Sequence, residues 1–203
     1  MKKKFMLLMT AFITLALTGC GASDSRPAAS GSISERADQM MDTIPESVKG
    51  KKILVAYYSW SGHTRSVAQQ IQQETGGDIF EIQPAKAYPK DYQKCVDIAK
   101  KEVNDNVRPA VASKVENMGQ YDVIFVGYPI WWGKAPMFVY TFLESYDLKG
   151  KVVIPFCTSG GSPIDGSIPD IWQSAAGAQL VKGSQDTDAA KITQWLKTIQ
   201  VMQ

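Results

Sequence analysis

The stretch ILVAYYSWSGHTRSVA, residues 53–68, passes without a break from an apolar run into a polar loop and then into a helical pattern. Ile53–Tyr57 is apolar at every position, as a strand buried on both faces must be, whereas a half-exposed strand would alternate. Val67, Ala68 and Ile71 then fall on one face of a helix expected over residues 64–74. Between strand and helix stand two serines, a glycine and the chain's single histidine. A loop this polar at the carboxyl end of a strand either turns the chain or holds a ligand.

The alternation continues along the chain. Further strands are expected at 78–82, 121–127, 152–157 and 179–182, and further helices at 91–104, 134–146, within 165–174, and at 188–200. In the last helix Ile192, Trp195, Leu196 and Ile199 give the i, i+3, i+4, i+7 stripe directly. Strands that alternate with helices across short connections predict an α/β fold, a doubly wound parallel sheet with helices on both faces. Such sheets bind ligands beyond the carboxyl ends of their strands, where the strand order reverses. The loops after the first, third and fourth strands are therefore the ones that carry information.

The first loop, Ser59, Trp60, Ser61, Gly62, His63 and Thr64, opens into a helix, and hydroxyls with free backbone N–H groups at a helix N-terminus suit a phosphate. It is neither a dinucleotide Gly-x-Gly-x-x-Gly loop nor a P-loop; the alternative is a plain helix cap at Ser61. The loop after the third strand, Pro129, Ile130, Trp131, Trp132 and Gly133, offers two indoles on which a planar ligand could stack; the alternative is that both pack on the following helix. After the fourth strand, Thr158, Ser159, Gly160 and Gly161 let backbone groups approach a ligand edge. Glycine-rich turns are common, and only the convergence of the three loops at one sheet edge makes them informative.

Composition bounds what the ligand can be. The 203 residues, 44% hydrophobic and 21% charged, suit one soluble globular domain. Before it, Lys2, Lys3 and Lys4 precede an apolar run at residues 5–17 that ends in Leu17-Thr18-Gly19-Cys20, the pattern of an export signal. That ending resembles a bacterial lipobox, which implies cleavage before Cys20, a lipid on its sulfur, and a membrane-anchored, extracytoplasmic protein; a plain signal peptide or a retained anchor are the alternatives. Residues 1–19 are expected to be a signal peptide, 20–49 a lipidated cysteine with a flexible Ser/Ala/Gly/Pro-rich tether, and 50–203 the folded domain. Loss of the three leader lysines turns 22 basic and 20 acidic residues into 19 and 20, which leaves no electrostatic case for nucleic acid. One histidine argues against a multi-histidine metal site, so no metal is expected. Cys95 on a helix and Cys157 at a strand end are expected as separate thiols.

The stretches ILVAYYSWSGHTRSVA, YPKDYQKCVDIAKKE, YDVIFVGYPIWWGKAPMFVYTFLE and GKVVIPFCTSGGS together resemble the flavodoxin-like family that binds flavin mononucleotide (FMN). The resemblance implies a single domain with a five-stranded parallel sheet in the order 2-1-3-4-5 and noncovalent FMN. It implies that Ser59, Ser61, Gly62, His63 and Thr64 hold the flavin phosphate, with Trp60 also counted among the cofactor-binding residues, that residues 129–133 line the isoalloxazine ring and ribityl chain, and that residues 158–161 meet the ring's polar edge. Lys134 and the backbone of 159–161 would stabilise charge on the reduced ring. The electron carriers of the family have aromatic side chains on both ring faces and a strongly acidic surface. Here residues 158–163 contain no aromatic and the processed chain is nearly neutral, which favours an oxidoreductase that passes electrons to a small acceptor such as a quinone. The expected partners are a small-molecule electron donor and acceptor or a redox protein. An extracytoplasmic electron carrier and a flavin-free structural lipoprotein are the alternative readings.

Overall fold

A computed structural model describes residues 40–45 and 50–202 of the chain. The expected signal peptide and Cys20 lie outside the described residues. The elements run β1 (Ile53–Tyr57), α1 (His63–Thr75), β2 (Asp78–Glu81), α2 (Tyr92–Asn104), β3 (Val123–Pro129), α3 (Met137–Glu144), β4 (Val152–Thr158), α4 (Ile168–Ser174), β5 (Gln179–Leu180) and α5 (Ala189–Thr198). All strand pairs are parallel and the order is β2-β1-β3-β4-β5, the expected doubly wound arrangement. No helix among the described residues is long and apolar enough to cross a membrane.

Strand periodicity divides the core in two, because successive side chains point to opposite faces. Leu54, Ala56, Ile124, Val126, Val153 and Cys157 face one way, toward a core that contains Phe138, Leu143 and Ile171 of α3 and α4. Ile53, Val55, Phe125, Ile154 and Phe156 face the other way, toward Val67, Ala68 and Ile71 of α1 and Ile192 and Leu196 of α5. Gly127 sits opposite Phe156 in the β3–β4 register, and a Cβ there would lie 2.1 Å from the Phe156 ring. The glycine leaves the space that the ring fills.

Three of the differences from the expected boundaries have a visible cause. The third helix starts at Met137 rather than 134, because Trp131 and Lys134 exchange two backbone hydrogen bonds (2.8 and 3.0 Å) around a tight turn and Pro136 caps the helix. The fifth strand keeps only Gln179–Leu180, with Val181 and Ser184 continuing as single bridges. That interruption lies beside Pro155 in β4, which has no N–H to offer the ladder; Gly183 passes so close that a Cβ would meet Pro155 O at 2.4 Å. The third difference lies within the expected tether. Met41 bridges Val181 in parallel, its N–H donating to Leu180 O and its O accepting from Lys182 N (both 2.9 Å), and buried Ile44 donates its N–H to Ile199 O at 3.1 Å. Docked residues thus begin before position 50.

Candidate functional site

The strand order reverses between β1 and β3, and the three singled-out loops leave the sheet at this edge. Tyr58 N–H donates to Gly127 O at 2.9 Å, carrying the β1–β3 ladder up to the first loop. Ser59 Oγ accepts from Gly62 N–H at 3.0 Å and curls the loop. Gly62 has φ +96°, a left-handed conformation, and a Cβ on it would meet nothing within 4 Å. Backbone twist, not space, is what calls for glycine here. The N–H groups of the first turn of α1, from His63 onward, have no intrahelical acceptor, as the geometry of a helix start dictates. Ser61 and His63 are exposed beside them. Two serine hydroxyls, these free N–H groups and an open glycine are a donor set that fits a phosphate.

Thr64 points elsewhere. Its buried hydroxyl lies 2.8 Å from that of Thr158, a hydrogen bond that ties the start of α1 to the end of β4. Arg65 is likewise engaged, with Glu81 at 2.7 Å and the Tyr57 hydroxyl at 3.3 Å. The loop after β3 is joined to β4 as well, since Ile130 N–H donates to Thr158 O at 2.9 Å. One residue, Thr158, therefore links all three loops.

The tryptophan turn takes positive φ at both central residues, Trp132 (+53°) and Gly133 (+75°). Left-handed backbone is rare for a bulky side chain and costs about 1–2 kcal/mol. The turn aims Trp132 at α2, the preceding helix, and Trp131 at the tyrosines that precede it. Trp131 packs edge-on against Tyr58 and Tyr88, with ring centroids 5.8 and 4.9 Å away. Trp132, half exposed, donates Nε1–H to Val96 O at 3.1 Å and carries Lys100 Nζ 4.7 Å over its ring. Trp60 donates its Nε1–H to Pro89 O at 3.1 Å and lies against Tyr92. Between α2 and these loops is a cavity of about 250 Å³, with Tyr92, Val96 and Ala99 as its helical wall. In the sequence Val96 and Ala99 align as the apolar face of this helix, and none of the three reads as a site residue; a helix stripe reads as core until something opens beside it.

The turn after β4 is exposed at Ser159, Gly160 and Gly161, with Gly161 N–H donating to Ser159 Oγ at 3.1 Å. Its continuation touches the tryptophan turn, because a Cβ on Gly166 would lie 2.9 Å from Gly133 O. Lys134 departs from its expected role: its Nζ pairs with Asp170 at 2.6 Å and already has a carboxylate for its charge. Burial pushes the Cys157 thiol up to about 12 and the Tyr58 and Tyr128 hydroxyls above their ordinary range, so these groups stay neutral under the site. Cys95 and Cys157 are both free and buried. Among the described residues no cluster of His, Cys, Asp and Glu is arranged to hold a metal.

The sequence matches the family model for flavodoxin over residues 52–199. Among solved structures, a candidate flavoprotein from Bacteroides eggerthii is 41% identical, covering 75% of this chain and 99% of its own, with a TM-score of 0.68. A second, from Bacteroides uniformis, is 37% identical over 72% of this chain and 98% of its own, with a TM-score of 0.67. A flavoprotein from Lactobacillus acidophilus, solved in complex with FMN, is 26% identical over 71% of this chain and 98% of its own, with a TM-score of 0.60. No curated protein matches the chain.

Proposed function

This chain belongs to the flavodoxin family, and from that premise we propose that it binds FMN noncovalently and passes electrons from a small reductant to a small acceptor such as a quinone. The observation that carries the reading is the junction at Thr158, which holds a phosphate-type helix start, a tryptophan turn and a glycine-rich turn together at the switch point of the sheet. The similarity to a protein solved with FMN supports the choice of flavin.

In this reading Ser59, Ser61 and the N–H groups of His63 and Thr64 donate to the phosphate, and Gly62 keeps the approach open. The backbone of 129–133 and the turn 158–161 flank the ring, with the Ser159 and Gly160 N–H groups available to its polar edge. Flavin supplies the redox chemistry when bound; the protein supplies position and electrostatics. With Lys134 paired to Asp170, charge on the ring falls to backbone dipoles. Since no aromatic occupies residues 158–163, one ring face stays open to a small substrate, which favours an oxidoreductase over a pure carrier.

Titration of the full chain with FMN, read as flavin fluorescence, tests this. Half-saturation at micromolar FMN or below, about −8 kcal/mol or better, is expected, weakened in Ser61→Ala. No quenching at millimolar FMN removes the flavin and leaves a flavodoxin-shaped protein of structural role. Steady turnover of a nicotinamide reductant with a quinone separates the enzyme from a carrier, which would exchange electrons quickly only with a partner reductase.

We further propose that the chain is exported and anchored through a lipid on Cys20. Intact-mass analysis of membrane-extracted protein should show a chain beginning at position 20 with a diacylglyceryl adduct, and Cys20→Ala should release it; an unmodified chain retaining residues 1–19 would refute the anchor.

A further inference from the structure

We propose that the cavity between α2 and the loops after β1 and β3 is a binding site for a neutral, planar aromatic molecule of one or two rings, beside the flavin cradle and separate from it. Its walls are aromatic and aliphatic: Trp60, Tyr92, Val96, Ala99, Trp131 and Trp132. The polar ends of the indoles at its mouth are already used, Trp60 Nε1–H by Pro89 O and Trp132 Nε1–H by Val96 O, so the wall asks for stacking rather than hydrogen bonding. The one thiol on the wall, Cys95, is held neutral by burial and by the nearby Glu102. An ionised ligand would therefore lose its hydration with little in return.

Size narrows the class further. A volume of about 250 Å³ lies below the range of about 300–1,000 Å³ that encloses drug-sized ligands. A flavin nucleotide or a nicotinamide dinucleotide does not fit inside it. The surroundings also point to an occupant. Tyr92 is 70% and Trp132 50% exposed, two large aromatic side chains left partly in water at the mouth of the cavity. Because Trp60 and residues 130–132 belong to the loops assigned to the flavin, a molecule seated here is next to the ring. Its use as an electron donor or acceptor rests on the FMN reading; its occupancy does not.

5-Fluoroindole is a redox-inert probe of this class, and its fluorine signal reports binding directly. With the full chain, flavin-free and FMN-saturated, the fluorine line should broaden and shift on titration in both states. Val96→Trp, which fills the cavity from α2, should weaken probe binding by at least ~10-fold, and Tyr92→Ala, a mostly exposed position whose loss leaves the fold intact, should weaken it more modestly. Both variants should keep the parent's FMN affinity within about 2-fold, a difference under ~0.5 kcal/mol. Absence of probe binding in both flavin states overturns the proposal and leaves the FMN reading standing. Loss of FMN binding in parallel with probe binding also overturns it, because the cavity would then be the flavin's own. Probe binding without any FMN binding supports the site and sinks the flavin reading alone.

Discussion

At the scale of single residues, the Thr64–Thr158 hydroxyl pair is the part of the site whose energetics can be isolated. Both side chains are buried, at 1% and 9% exposure, and each is the other's partner. Thr64→Val keeps the shape but leaves the Thr158 hydroxyl without that partner, which should cost about 1–3 kcal/mol. Thr64→Val/Thr158→Val removes both polar groups and should recover most of the loss in urea unfolding; additive losses would show that the pair is not coupled. Glu102 offers a pH test. Burial raises its carboxyl pKa, against the opposing effect of the Tyr88 hydroxyl that donates to it at 2.5 Å. The folded state therefore holds this proton to higher pH than the unfolded chain does. Its contribution to stability is full below the ordinary carboxylate range, falls as pH rises from there through the folded value, and is then constant. Glu102→Gln does not titrate, so the difference in unfolding midpoint between parent and variant should change across that acidic window and be flat at neutral pH. A difference independent of pH would place Glu102 in water. Neither contact was legible in the sequence, since partners 94 and 14 residues apart leave no local trace.

At the scale of elements, periodicity gave away the helices and strands, whereas their ends were set by partners in space. The run at 121–127 was readable, but β3 extends to Pro129 because β4 continues beside it. The direction of the two indoles followed from a turn with φ above zero at a tryptophan, a conformation no propensity favours at that residue. The segment around Met41 escaped for a different reason: it has too few apolar residues to read as an element and is held by an edge it happens to reach. That edge is β5, only two residues long, whose free backbone groups accept a sixth strand-like partner. Ile44, 5% exposed, is the apolar anchor of this strap. Ile44→Ala should cost about 2 kcal/mol, the low end for a large-to-small change because the site lies near the surface. Hydrogen exchange should quicken at Lys182, whose N–H donates to Met41 O, with little change at the centre of β4. Unchanged protection at Lys182 would mean that the strap does not cover β5 in solution.

At the scale of the whole molecule, the fold and the edge that carries the site were legible together, because one stretch of strand, loop and helix already implies a parallel sheet and a parallel sheet implies where ligands sit. What the whole chain adds is its electrostatic character. With the proposed processing, residues 1–19 would take three lysines from the 22 basic residues and none from the 20 acidic ones, leaving 19 and 20. Near the proposed phosphate cradle the one arginine, Arg65, is paired with Glu81, and the first turn of α1 offers neutral donors. A phosphate held by N–H and O–H dipoles at contact distance is screened little by salt, unlike one drawn in by a basic field, for which the Debye length of about 10 Å at 0.1 M sets the range. The FMN affinity of the full chain should thus change by less than about 3-fold between 0.02 and 0.5 M salt, a span that weakens long-range attraction strongly. The same binding should stabilise the fold by mass action, about 2.7 kcal/mol at FMN one hundred times above its dissociation constant. For a domain of about 150 residues, where each kcal/mol moves the midpoint by roughly 2–4 °C, that is a rise in Tm of about 5–10 °C. Thermal melts with and without FMN at both salt concentrations measure the two quantities together. A shift that collapses at high salt would mean that unpaired cations hold the phosphate, with Arg65 released from Glu81, and would reassign the cradle from backbone dipoles to charge.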